Sequence, residues 1–376
     1  MTMGGNRHAL VIGVTGISGH NTAERLLDRG WQVTGVSRST PGGLSGVRHI
    51  SVDITDAGAT RAALRDANPT HLFFGTWSRQ GTEADNIRVN GAMLRNVLEG
   101  VENARDLQHV ALVTGLKHYL GPFESYGKVK PDTPFREEQG RLPYDNFYYE
   151  QEDILFDAAE RVGFTWSVHR AHTMIGWALG NFMNMGVTLA LYGTICRETG
   201  RPFVFPGSQE QWEGVTDITD ARLLARQLEW AATTPAARNE AFNIVNGDVF
   251  RWRRMWGVLA EGLGVEAAPY PGHPTPLEER MADAPPVWDE IVERYGLVPH
   301  DLDRIATWWH SDADLGRPLE TFTSMAKSRR FGFLDYQDSE RSFLDLFERL
   351  RAERIIPELS PLRPGPGVAQ SVVEQH

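Results

Sequence analysis

Three glycines, each three residues after the last, follow directly on the first apolar run of the sequence. Gly13, Gly16 and Gly19 form a G-x-x-G-x-x-G motif there, and a helical pattern begins near Asn21. Glycine permits a sharp turn and a close approach of the backbone to a diphosphate, whose charge meets the free N–H groups of the helix. Between a strand and a helix this motif predicts a dinucleotide-binding turn, whereas isolated glycines would indicate only a flexible loop.

The apolar residues of the first two hundred positions follow the pattern of alternating strands and helices. Short apolar runs alternate with amphipathic stretches, as in the β-α units of a parallel sheet. The predicted strands are His8–Val14, Trp31–Val36, His49–Val52, His71–Gly75, His109–Gly115 and Thr165–His169. The predicted helices are Asn21–Arg29, Asp56–Asp66, Glu83–Val101 and Asn146–Val162. The expected fold class is therefore α/β, a Rossmann-type doubly wound parallel sheet with a smaller, mainly helical part.

The later sequence suggests where the two parts divide. We expect residues 1–175 to form the dinucleotide-binding domain, with 213–248 contributing to it, and residues 176–212 and 249–356 to form the substrate-binding part. Prolines interrupt the helical pattern between Phe250 and Asp335. Residues 357–376 combine prolines with polar residues, and we predict that this tail is disordered because it cannot bury enough apolar surface.

Composition and charge exclude several classes of protein. A hydrophobic content of 41% suits a soluble globular chain, and no apolar stretch approaches the roughly 20 residues that cross a bilayer. A net charge of −11 argues against nonspecific binding to nucleic acid. The single cysteine, Cys196, excludes an intrachain disulfide and suits the cytoplasm. We expect a cytoplasmic protein with no nucleic-acid or membrane partner, and a homodimer is compatible with the sequence.

We expect no metal ion in this protein. His169 and His172 are three residues apart, a spacing that metal-binding helices use. They fall instead on a strand end and its loop, with no third ligand in the sequence, and we interpret them as structural.

The end of the second predicted strand favours NADPH over NADH. An NAD-binding protein offers an acidic side chain there to the ribose hydroxyls, but this chain has Ser37, Arg38 and Ser39. A guanidinium and two hydroxyls suit a 2′-phosphate, which a carboxylate would repel. Asp53 and Ile54, just after the third strand, are expected to contact the adenine.

A tyrosine and a lysine stand out as catalytic candidates, although their spacing is unusual. Most short-chain dehydrogenases place a lysine four residues after the catalytic tyrosine on one helix face. Here Tyr149 is followed at that distance by Asp153. Lys117, two residues after the fifth strand, is the nearest substitute, because the carboxyl ends of parallel strands meet at the ligand-binding edge of the sheet.

With this unusual spacing and several short motifs, the sequence resembles the progesterone 5β-reductase and iridoid synthase-like (PRISE) enone reductases, an atypical branch of the short-chain dehydrogenases. The resemblance extends over about residues 8–357. The segments that carry it are Gly13–Ile17, Thr76–Trp77, Lys117–Phe123, Asn146–Tyr149 with Glu152–Asp153, Phe203–Ser208, Trp212–Gly214, Asn246–Phe250 and Gly332–Leu334. Residues 170–179 depart from the family pattern beside the expected substrate entrance, so the resemblance does not carry a substrate preference over.

The resemblance implies that NADPH reduces the C=C bond of an α,β-unsaturated carbonyl compound by 1,4-hydride addition. Lys117 and Tyr149, the second of a Tyr-Tyr pair, would stabilise the enolate oxygen. Only one of Tyr148 and Tyr149 can face the nicotinamide, since helix neighbours point about 100° apart. Phe123 and Trp77 would line the substrate pocket. The residues expected to contact the cofactor are Gly13, Thr15, Gly16, Ile17, Ser18, Gly19, Ser37, Arg38, Ser39, Asp53, Ile54, Thr76, Trp77, Thr114, Gly115, Lys117, Tyr149 and Met174.

Two other functions remain open at this point. An extended short-chain carbonyl reductase or epimerase would commonly keep a lysine four residues after the tyrosine and would often use NAD, and this chain has neither feature. A sensor that binds NADP(H) without turnover would need neither Tyr149 nor Lys117.

Overall fold

The computed structural model describes residues 7–122, 125–126, 128, 131–181 and 183–359. Within them the strands are β1 His8–Ile12, β2 Gln32–Ser37, β3 Val47–Ser51, β4 His71–Phe74, β5 His109–Gly115, β6 Thr165–Ala171, β7 Met174–Ile175, β8 Thr219–Asp220 and β9 Glu240–Ile244. Seven of these form one parallel sheet in the order β3-β2-β1-β4-β5-β6-β9, while β7 and β8 pair separately. The predicted Rossmann-type α/β fold is thereby confirmed.

The helices surround the sheet and build a second layer beyond it. They are α1 Ile17–Asp28, α2 Ala57–Leu64, α3 Glu83–Gly100, α4 Lys117–Leu120, α5 Phe147–Val162, α6 Met185–Thr199, α7 Gln209–Glu213, α8 Ala221–Thr233, α9 Trp252–Leu263, α10 Leu277–Arg280, α11 Ala284–Tyr295, α12 Leu302–Ile305, α13 Trp308–Leu315, α14 Ala326–Arg330 and α15 Ser339–Ala352. Among the residues described, no helix is both long and apolar enough to cross a membrane.

Both faces of the sheet are buried, as a doubly wound fold requires. Alternate residues of β1 enter different cores: Leu10 and Ile12 pack with α2, α3 and α5, while Ala9 and Val11 pack with α1 and α8. A third core lies in the helical part, where the Phe203 and Trp256 rings stack with their centres 4.2 Å apart. The strands at the centre of the sheet thus have apolar neighbours above and below, which explains their continuous apolar runs.

The six predicted strands are confirmed as β1 to β6, with ends that shift by at most two residues. The sequence pattern does not reveal β9, because its five residues include only Ala241, Phe242 and Ile244 as apolar members, too weak a periodic signal. Helix α1 begins at Ile17 and not near Asn21. Glycine in the first turn lowers helix propensity, so the sequence of that turn is typical of a loop.

The division into domains at residue 175 stays a prediction, although β9 places part of the 213–248 segment in the main sheet. Of the tail predicted to be disordered, residues 360–376 lie outside the described residues.

Three histidines lie buried in adjacent strands of the sheet. Burial lowers the pKa of His71 in β4 to about 4, of His109 in β5 to about 3 and of His169 in β6 to about 4. The His109 ring hydrogen-bonds to the hydroxyls of Thr165 and Ser167, and the His169 ring shares the Ser167 hydroxyl. The neutral rings of His109 and His169 thus hydrogen-bond to the hydroxyls of β6 without carrying charge into the core.

Lowering the pH from 7 to 5 should reduce the free energy of unfolding. Histidines of the unfolded chain take up protons below a pKa of about 6.5, whereas the buried rings stay neutral until the pH nears 4. The unfolded state therefore binds more protons in this window, and stability falls with the pH. We expect a loss of about 2 kcal/mol per buried histidine at pH 5, measured by urea unfolding.

The variant His109→Gln should show a shallower pH dependence of unfolding than the wild type. The control His273→Gln, at an exposed site, should show the same pH dependence as the wild type. Equal slopes in all three proteins would contradict this account.

Candidate active site

The turn between β1 and α1 is tightly packed, and no side chain caps the start of α1. Gly13 has a φ of +80°, and a Cβ there would lie 2.6 Å from the Thr76 Cβ. A Cβ on Gly19 would lie 2.2 Å from the Gly13 carbonyl oxygen. Gly16 caps α1 without any side-chain hydrogen bond, so the N–H groups of its first turn are not taken by a capping side chain. This is the arrangement that binds a diphosphate.

A cleft of about 650 Å³ runs from this turn along the carboxyl ends of β1 to β4. Eight of the residues predicted to contact a cofactor line it: Gly13, Thr15, Ser37, Arg38, Asp53, Ile54, Thr76 and Trp77. Arg79 and Trp309 also line the cleft, although the sequence did not point to them. The guanidinium carbon of Arg79 lies 3.8 Å from the centre of the Trp309 ring. No local motif could have revealed this contact, because the two residues are far apart in the chain.

The rim of the cleft at β2 and β3 is polar. Arg38 is exposed there. Hydrogen bonds from the Thr55 backbone N–H and hydroxyl lower the pKa of Asp53, and the charge of Arg38 lowers it further. The Ser37 hydroxyl donates to the carbonyl of Ser39, and Ser39 itself does not line the cleft. The rim therefore offers an exposed guanidinium beside a carboxylate whose hydrogen bonds hold it in place.

A second cavity of about 190 Å³ adjoins the cleft and shares Thr76, Trp77 and Met183 with it. The carboxyl ends of β4, β5 and β6 supply one side and residues of the helical part supply the other. The predicted residues that line it are Gly16, Ile17, Thr76, Trp77, Thr114, Gly115, Lys117 and Met174. Ser18 and Gly19 line neither the cleft nor this cavity. Phe123 lies outside the described residues.

Lys117 reaches this cavity from the start of α4, immediately after β5. Its side chain is buried, and its Nζ lies 3.6 Å from Glu83 Oε2 and 5.1 Å from the centre of the Phe147 ring. The Asn146 side chain, which caps α5, donates a 2.7 Å hydrogen bond to the Lys117 carbonyl. The same cap that begins α5 therefore fixes the lysine backbone.

Tyr148, and not Tyr149, lies in the cavity beside Lys117. A Cβ on Gly115 would lie 3.2 Å from the Tyr148 hydroxyl, so this glycine leaves room for it. Burial, reinforced by Tyr126 and Glu83, raises the Tyr148 pKa well above its usual value. The hydroxyl consequently keeps its proton at neutral pH and is available as a donor.

Tyr149 turns toward the other side of α5. Its hydroxyl donates to the His118 carbonyl at 2.6 Å and accepts from the Leu142 N–H at 3.0 Å. The Arg141 guanidinium lies 5.0 Å from its ring centre. Tyr149 therefore does not line the cavity that holds Lys117, although the family resemblance implies an active role for it. A tyrosine pair shows that one member faces inward, but the rotation of the helix decides which.

Glu83 contacts the start of α5, and no sequence motif singles it out. Its Oε1 accepts a 2.9 Å hydrogen bond from the Phe147 N–H at the start of α5, while Oε2 faces Lys117 and accepts from the Asn86 amide. One carboxylate thus connects α3, α4 and α5. The only sequence signal was an acidic residue in the first turn of α3, which is typical of an ordinary helix-end charge.

A family model described as a PRISE-like Rossmann-fold domain matches residues 54–357. This chain belongs to the PRISE family. An (S)-8-oxocitronellyl enol synthase of Camptotheca acuminata is 42% identical to it over 363 residues, covering 93% of each chain. A 3-oxo-Delta(4,5)-steroid 5-beta-reductase of Arabidopsis thaliana is 40% identical over 362 residues, again covering 93% of each.

Solved structures of other proteins share the fold of this PRISE protein. The UDP-glucose 4-epimerase of Thermus thermophilus, in complex with NAD, has a TM-score of 0.63 at 18% identity, covering 91% of this chain and 99% of that one. An epimerase of Methanothermobacter thermautotrophicus has a TM-score of 0.66 at 16% identity, covering 93% of each chain. At such low identity the likeness shows the fold alone.

Glu83→Gln should destabilise this PRISE protein more than the loss of a surface carboxylate does. The substitution removes the negative charge facing the buried ammonium of Lys117, and we expect the free energy of unfolding to fall by about 1–3 kcal/mol at pH 7. Glu99→Gln is the matched control, because its partner Arg61 is exposed and such pairs contribute under about 1 kcal/mol. Urea unfolding compares the two variants, and similar losses in both would contradict the role given to Glu83.

Proposed function

We propose that this protein uses NADPH to reduce the C=C bond of α,β-unsaturated carbonyl compounds in the cytoplasm. The observation that carries the proposal is the meeting of Lys117 and Tyr148 in a cavity that adjoins a dinucleotide-sized cleft. Family membership supports it, since one relative is named as a steroid 5-beta-reductase and others as enol synthases.

The cleft suits a dinucleotide cofactor on several independent counts. Three features suit a phosphorylated nucleotide. They are the close contacts at Gly13 and Gly19, the start of α1 without a capping side chain, and the exposed Arg38. The Arg38 guanidinium would bind a 2′-phosphate, and the sequence offers no carboxylate at the end of β2 to repel it. When bound, NADPH would supply the hydride.

The residues of the chain would then stabilise the charge that develops on the substrate. Addition of a hydride to the β-carbon moves an electron pair through the conjugated system to the carbonyl oxygen. The protonated Tyr148 hydroxyl would donate a hydrogen bond to that oxygen, and the Lys117 ammonium would add a positive charge nearby. Both groups stand in place before the reaction, which makes such stabilisation effective. A proton from solvent at the α-carbon would complete the saturated product.

The surroundings of Tyr148 argue against an epimerase or alcohol dehydrogenase. Those reactions need a tyrosine that gives up its proton, which a lysine four residues later promotes by its charge. Four residues after Tyr148 stands Glu152, and burial raises the Tyr148 pKa. A tyrosine that remains protonated acts as a hydrogen-bond donor and not as a base.

Tyr148→Phe should lower kcat/KM for a simple enone by about 10²–10³-fold, the usual effect of removing one oxyanion donor. Lys117→Ala should have at least as large an effect, whereas Tyr149→Phe should stay within a few-fold of wild type. The assay follows NADPH oxidation with 2-cyclohexen-1-one and identifies the product. Exposed Tyr295→Phe is the control.

The outcomes separate the alternatives. A loss in Tyr149→Phe equal to that in Tyr148→Phe would contradict the assignment of the two tyrosines. Turnover of saturated ketones only would indicate a carbonyl reductase. Tight NADPH binding without turnover of any substrate would favour a sensor.

Arg38→Ala should weaken NADPH binding by about tenfold or more and leave NADH binding unchanged, since only NADPH carries the 2′-phosphate. Titration of cofactor fluorescence measures both dissociation constants. Arg65→Ala, which removes an exposed cation remote from the cleft, should change neither constant. A similar loss for NADPH and NADH would show that Arg38 binds something common to the two.

A further inference from the structure

One side of the cavity around Lys117 is strongly polar and is formed by the segment after β6 together with the helical part. His172 and Thr173 follow β6, while His310 and Asp314 of α13 and Arg317 lie beyond it, and all five line the cavity that holds Lys117 and Tyr148. A cavity built only for hydrocarbon substrates would be lined mainly by apolar side chains.

Most of these polar groups already bind one another. The Arg317 guanidinium donates to His172 Nε2 at 2.7 Å, to the Thr173 hydroxyl at 3.2 Å and to the Asp314 carbonyl at 2.9 Å. The Thr173 hydroxyl donates to Asp314 Oδ2 at 2.6 Å. His172 Nδ1 lies 2.6 Å from Asp217 Oδ1. The network fixes Arg317 rigidly and uses most of its hydrogen-bonding capacity.

The proton positions in this network follow from its geometry. Arginine only donates, so His172 Nε2 must accept and its proton must be on Nδ1, pointing at Asp217. His172 is then neutral, Arg317 is paired with the Asp314 carboxylate, and burial raises the pKa of Asp217. The pKa of Asp314 is lowered overall by Arg317, His310 and Thr173, against the effect of its burial. Asp314 therefore stays ionised beside His310.

His310 is the member whose hydrogen bonds are incomplete. Its Nε2 lies 3.8 Å from Asp314 Oδ2, beyond hydrogen-bond length, and among the residues that the structure describes its buried Nδ1 has no hydrogen-bond partner. The side chain is only 13% exposed. Buried polar atoms in native proteins nearly always have a partner. Nδ1 itself is covered by the protein, so the atom that a ligand in the cavity can reach is Nε2, which the 3.8 Å gap leaves without a hydrogen bond to Asp314.

We propose that the substrate of this site is an enone that carries an uncharged hydroxyl group, which hydrogen-bonds to His310 beside Asp314. This inference rests on the proposed function and names its substrate class. A hydroxyl both donates and accepts, so it fits either tautomer of a neutral imidazole. A carboxylate would meet the negative charge of Asp314, and an apolar group would leave His310 Nε2 without a partner at a desolvation cost.

The test compares three six-carbon enones that differ only at the end remote from the carbonyl. They are 3-hexen-2-one, 6-hydroxy-3-hexen-2-one and 5-oxo-3-hexenoate, which end in a methyl, a hydroxyl and a carboxylate. Wild-type kcat/KM should be at least about tenfold higher for the hydroxyl compound than for the other two, the effect of one buried hydrogen bond. His310→Phe should reduce this ratio to near one, and His310→Asn, which retains hydrogen-bonding capacity, should preserve part of it. His273→Phe, the same substitution at an exposed site, should leave the ratio unchanged.

The ratio itself decides the matter even if one variant does not fold. Turnover of all three compounds without preference, a preference for the methyl or carboxylate compound, or an unchanged ratio in His310→Phe would overturn the hydroxyl inference alone. Absence of turnover with every enone would overturn the proposed function as well.

Discussion

The parallel alignment of the main sheet is the constraint on which the candidate site depends. Because β1, β4, β5 and β6 run in one direction, their carboxyl ends meet at one edge of the sheet. Residues separated by tens of positions in the chain, such as Gly13, Thr76 and Lys117, thereby reach adjoining cavities. The glycine turn adds the second requirement, since α1 can start at this edge only because no Cβ separates Gly19 from the Gly13 carbonyl.

The lysine and the tyrosine are held by elements that approach this edge from one face. Glu83 at the start of α3 contacts both the Lys117 ammonium and the first N–H of α5, and the Asn146 cap bonds the Lys117 carbonyl. The pair therefore does not need the helical spacing of four residues that most short-chain dehydrogenases use. The first turn of α5 sets Tyr148 toward the cavity and commits Tyr149 to hydrogen bonds on its other side.

The helical part closes the cavity with a fixed charge network. Buried charges are costly unless they are paired, and here Arg317 is shared between His172, Thr173 and Asp314. A rigid polar surface facing the Lys117–Tyr148 pair restricts which substrates fit more than an adaptable apolar one would. In the proposed reaction, substrate choice and charge stabilisation would come from opposite sides of the cavity.

The sequence by itself determined the sheet, the glycine turn and Lys117. These features are encoded locally, by apolar periodicity, by glycine spacing and by position after a strand. The weak strand β9 could not be predicted in this way because its burial comes from pairing with β6 and not from its own composition. Only the tertiary structure decided which tyrosine enters the cavity and which distant residues meet there. Neighbouring residues on a helix point about 100° apart, but capping and tertiary contacts decide how the whole helix is rotated. The sequence alone therefore does not distinguish Tyr148 from Tyr149. Several contacts join residues that are far apart in the chain. They are Glu83 with Lys117, Arg79 with Trp309, and the group of His172, His310, Asp314 and Arg317. No local pattern records such contacts, because they arise from the packing of the helical part against the edge of the sheet.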